Sequence, residues 1–175
     1  MRQLRSAVLT VLGTALMMAA PAAPAAANST TYTFTLLGPN TAVAPAGPHA
    51  GDSIRVTGSG TFNPAAGTIV AGGSFTHLSA DGTVHERGWW RATALTSFTG
   101  FGGPSPGRQG GVLWLVVTHF HQGGAPHEGI PMSVTSTVNA PPGLVEGTTV
   151  GEFTVKTGGR VRFHLAACPR SAQGG

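Results

Sequence analysis

His119 and His121 flank Phe120, and His127-Glu128 follows a few residues later. On an extended strand, residues i and i+2 point to the same side, so the two imidazoles share a face. Imidazole nitrogens and a carboxylate are donors that zinc and related transition metals accept. The Gly123-Gly124 turn returns the chain, so His127 or Glu128 can complete the set with His119 and His121. The chain implies no cofactor unless these residues hold a metal, in which case it is one divalent transition-metal ion. In the bland reading the pair sits at a strand exit and His127-Glu128 on a solvated loop. His49, His77, His85 and His164 are scattered and read as surface or internally satisfied histidines.

A second group is aromatic. Trp89, Trp90, Trp114 and Phe98 can line an apolar ligand pocket near the mouth of a barrel. Ordinary core and edge packing explains the same residues. Other chemistries find little support. Gly58-Ser59-Gly60 lacks both the pattern and the strand-to-helix setting of a nucleophile elbow. The segment from Gly100 to Gly111 has no Lys-Ser/Thr and no following helix, so it is not a phosphate-cradling loop.

The elements that must carry these residues are strands. Arg2 and Arg5, the uncharged run Ala7–Ala20 and the small residues up to Ala27 form the charge, apolar core and exit of a signal peptide. Residues 1–27 are therefore expected to be removed, leaving a secreted, extracellular chain with no membrane span. Without Arg2 and Arg5, eight of the ten Lys and Arg face six Asp and Glu. The remaining basic residues are dispersed, which excludes the clustered patch a nucleic-acid partner requires. Few charges together with abundant Gly, Ala and Pro suggest a bacterial source. The sole cysteine, Cys168, precludes an intramolecular disulfide and leaves a monomer or a Cys168-linked dimer.

After residue 27, period-two alternation and Gly/Pro punctuation replace helical periodicity. Eight strands are expected, over 30–37, 53–62, 68–78, 83–98, 111–121, 132–139, 148–156 and 160–166. Glycines at 58, 60, 72 and 73 read as bulges or bends. Hairpin-linked strands without helices imply one all-β domain over 28–168, an antiparallel barrel of about eight strands or, alternatively, a β-sandwich. Residues 169–175 read as a flexible tail.

The His119-Phe120-His121 pair with a downstream Glu128 resembles the first metal motif of cupins. The segment from Gly58-Ser-Gly-Thr-Phe through Gly72-Gly-Ser-Phe-Thr-His-Leu to Gly88-Trp-Trp-Arg-Ala-Thr resembles a group of small secreted bacterial β-rich proteins. No activity is assigned to that group, so the resemblance carries over no site residues. The glycine-rich hairpin is also similar to dirigent and allene oxide cyclase barrels, whose eight strands enclose apolar small molecules. The resulting expectation is an exported barrel that binds a small apolar ligand or interacts through its surface, rather than an enzyme. The alternative is a metal-dependent, cupin-like enzyme using His119 and His121.

Overall fold

The structure is a computed structural model that describes residues 30–166. The signal peptide read over 1–27, Cys168 and the tail 169–175 lie outside the described residues. Ten strands follow one another: β1 (Tyr32–Leu36), β2 (Asn40–Val43), β3 (Ser53–Asn63), β4 (Thr68–Leu78), β5 (Val84–Ser105), β6 (Arg108–His121), β7 (His127–Ser136), β8 (Gly147–Val150), β9 (Val155–Gly158) and β10 (Val161–Leu165). Among the described residues there is no helix, and so none long and apolar enough to cross a membrane.

Every pairing is antiparallel, and the circuit β1–β3–β4–β5–β6–β10–β1 closes on itself. β7 adds to β6, and β8 to β7. β1 and β2 run end to end along β3, with Tyr32 opposite Phe62 and Val43 opposite Ser53. On their other side lie β10 and β9, also end to end. Counting each such pair as one interrupted strand gives the expected eight staves of a barrel. Closure removes most exposed edges, the stretches where unpaired backbone groups invite aggregation.

Alternation fills the interior. Leu113, Leu115 and Val117 of β6 face Met132 and Val134 of β7, and Phe34, Val56, Phe62, Trp90 and Phe163 are among the other fully buried side chains. Burying an aliphatic or aromatic side chain of this size contributes about 1.5–3 kcal/mol, and no disulfide links the described residues, which contain no cysteine. Trp90 reaches across to donate from Nε1 to the Thr57 carbonyl at 3.0 Å.

Several local expectations change. Asn40–Val43, read as loop, is β2. The segment after Phe98, also read as loop, continues β5 into a long hairpin with β6 that turns between Ser105 and Arg108. The stretch 148–156 breaks at a tight turn, where Phe153 N donates to Val150 O at 2.9 Å. The glycines of β3 and β4 are not bulges: the register runs unbroken from Ser53↔Leu78 to Asn63↔Thr68. Instead they make room. A Cβ on Gly58 would come within 2.5 Å of the Trp90 ring and 2.6 Å of the Gly72 carbonyl oxygen. The register shifts lie in β5 instead, at Ala92/Ala94 and Leu95/Ser97, where an extra residue bends and twists the strand that carries it.

Candidate functional site: a histidine-lined barrel mouth

β4 ends, β5 begins, β6 ends and β7 begins at one end of the barrel, and a cavity of about 680 Å³ opens there. Its wall contains His49, His77, His85, His119, His121 and His127, six of the seven histidines in the chain. Ile54, Phe75, Ile130, Val150 and Phe153 supply apolar surface, and Glu86, Arg87 and Glu152 supply charge.

Each histidine arrives by a local rule. His119 and His121 continue the inward row Leu113, Leu115, Val117 of β6. His77 follows Phe75 on the inward face of β4. At the start of β5 the register slips: Leu78 pairs with Val84 but His77 pairs with Glu86. His85 is the extra residue, and this bulge lets both His85 and Glu86 reach the cavity.

β7 carries a second bulge. Val117 pairs with Ile130 but His119 with His127, leaving Glu128 and Gly129 opposite Thr118. Gly129 takes the left-handed conformation, φ 72°. Without the extra residue, alternation from Met132 and Ile130 would turn Glu128 inward. With it, His127 faces the cavity, and Glu128 is exposed and outside the cavity wall.

His49 sits on the loop between β2 and β3. That loop is drawn tight where Ala44 N donates to Asp52 O at 3.0 Å and Gly51 N to Ala44 O at 2.9 Å.

The sequence-derived metal set is therefore brought together only in part. His121 and His127 stand 4.4 Å apart between ring centroids, and His119 and His121 6.5 Å. Glu128 is replaced by Glu86, whose carboxylate contacts His121 Nδ1. His121 Nε2 is buried without a hydrogen-bond partner among the described residues. His119 stacks on Phe75, 4.3 Å between centroids at 20°. Burial, reinforced by the nearby His127, pushes His119 down to about 4. The same causes lower His121. Both imidazoles are thus neutral at neutral pH and act as hydrogen-bond donors and acceptors rather than as cations.

A second group was invisible as a constellation in the sequence. His49, His77 and His85 form a triangle with centroid separations of 5.1, 4.8 and 6.1 Å. His77 Nε2 donates to Asp52 Oδ2 at 2.9 Å, and His49 Nδ1 to Glu152 Oε1 at 2.6 Å. Asp52 is itself fixed, since its Oδ1 accepts from Ala80 N at 2.8 Å. The one signal for this group was its positions near strand ends, which acquires meaning only once the barrel closes. Among the described residues, no three donors are already arranged about one metal position.

The aromatic set does not converge. Trp89 and Trp114 face outward and are exposed, Trp89 stacking on Phe120 at 3.7 Å. Trp90 is fully buried. Phe98 packs with Tyr32, Phe62 and Phe163, away from the histidine cavity. The cause is alternation: neighbours Trp89 and Trp90 must take opposite faces. No family model, curated protein or solved structure matches the chain.

Proposed function

We propose that the chain is an exported binding protein whose barrel mouth takes up a small, largely apolar molecule carrying hydroxyl or carbonyl groups. The observation that carries this reading is the convergence of six histidines on one cavity of about 680 Å³. That volume lies within the roughly 300–1,000 Å³ of ligand pockets, which are apolar with a few placed polar groups. Phe75, Ile130, Val150 and Phe153 offer surface to an apolar body. Neutral His119 and His121 offer uncharged donors and acceptors to its oxygen atoms. The secretory leader read over residues 1–27 supports export.

Titration with anilinonaphthalene sulfonate, whose fluorescence reports apolar sites, tests the proposal. The expected result is saturable binding of one dye per chain, retained by Trp114→Ala and lost in Ile130→Trp, which fills the cavity. Non-saturable fluorescence would overturn the reading, as would binding that survives Ile130→Trp and disappears with Trp114→Ala.

A further inference from the structure

We infer that His49, His77 and His85 form a binding site for a divalent transition-metal ion of the zinc, copper or nickel type at the rim of the cavity. The three rings stand 4.8 to 6.1 Å apart. Rings sharing one ion lie roughly 5 Å apart, given metal–nitrogen distances of about 2.0–2.1 Å and tetrahedral angles. The triangle brackets that value.

The second argument is the carboxylates. Metal-binding histidines almost always donate their other ring N–H to a carboxylate, carbonyl or water, which fixes the tautomer and raises ligand basicity. His77 does this through Nε2 to Asp52 and His49 through Nδ1 to Glu152. Each hydrogen bond leaves the lone pair on the opposite nitrogen, His77 Nδ1 and His49 Nε2, as the ligating atom. His85 is exposed, so its ring is free to turn toward them. Among the described residues no three donors are yet arranged about one ion, so binding requires the rings to rotate about their side-chain bonds, with one position left open toward the cavity.

His119, His121 and His127 suit an ion less well. Of these three, only His121 touches a carboxylate, and stacking on Phe75 fixes His119. The inference stands apart from the small-molecule reading, because zinc binding and dye binding are measured separately and either can fail alone.

Calorimetric titration of the full chain with zinc chloride at neutral pH, with cobalt(II) as a visible-spectrum probe, tests it. One ion per chain is expected, with the intense visible bands of tetrahedral cobalt and a zinc-dependent rise in melting temperature. His85→Ala, an exposed change that leaves the core intact, lowers zinc affinity by roughly tenfold or more. Glu152→Gln, which removes a supporting carboxylate, lowers it by roughly tenfold, and His121→Ala keeps it. Absence of saturable zinc binding overturns the site, as does binding that His85→Ala leaves intact and His121→Ala abolishes.

Discussion

His119 carries the clearest consequence at the scale of a single residue. Its ring is 7% exposed as a residue and stacks on Phe75, where protonation would place a charge away from water and beside His127. In the unfolded chain the imidazole takes up its proton near 6.5, in the fold only at about 4. Between those values the unfolded chain holds a proton that the folded chain lacks, so acid favours unfolding. The stability at stake is present in full above pH 6.5 and is lost as pH falls toward 4. It amounts to about 3 kcal/mol at 1.36 kcal/mol per pH unit. His121, lowered by the same causes, acts in the same direction. His119→Phe keeps the stack and removes the titration. Its melting temperature should therefore fall less than that of the wild type between pH 6.5 and 4. Equal acid losses in the two proteins would show that the buried imidazole is not the source.

Among elements, the bulges matter most. Strand existence was legible: alternation in 53–62 and 68–78 matches β3 and β4 to within a residue, and 111–121 matches β6 except for its first three residues. What alternation cannot reveal is an inserted residue, and one such residue reverses every face beyond it. That is why, of the two candidates His127 and Glu128, His127 enters the site and Glu128 does not. It is also why Leu95 packs against the core after one register shift in β5. The second shift restores the parity, and Phe98 lies inside as alternation from Trp90 requires. Gly129 is the test, because its φ of 72° is costly for a branched residue. Gly129→Val is expected to lower stability by about 1–2 kcal/mol and to weaken dye binding by disturbing His127. Gly123→Val, at φ 81° in the adjacent turn, should cost similar stability but leave dye affinity unchanged. Matching urea midpoints and dye affinities for wild type and Gly129→Val would remove the bulge from the account.

At the scale of the whole molecule, the site is a product of closure. His49, His77, His85, His119, His121 and His127 span 79 positions of sequence and belong to a loop and four strands. Only the pair at 119 and 121, with His127 returning after the Gly123-Gly124 turn, has a spacing that a linear reading can recognise. The others become neighbours because antiparallel strands start and end alternately at the same rim, and because the ring of pairings returns from β10 to β1. The aromatic residues show the converse: adjacent in sequence, Trp89 and Trp90 are divided by the sheet.

The most direct measurement of the shared cavity is the set of imidazole carbon–proton NMR signals recorded while anilinonaphthalene sulfonate is added. The account predicts that resonances from His49, His77, His85, His119, His121 and His127 move with one common midpoint, while His164, which does not line the cavity, stays still. Independent midpoints, or a response at His164 with the other six unmoved, would contradict it.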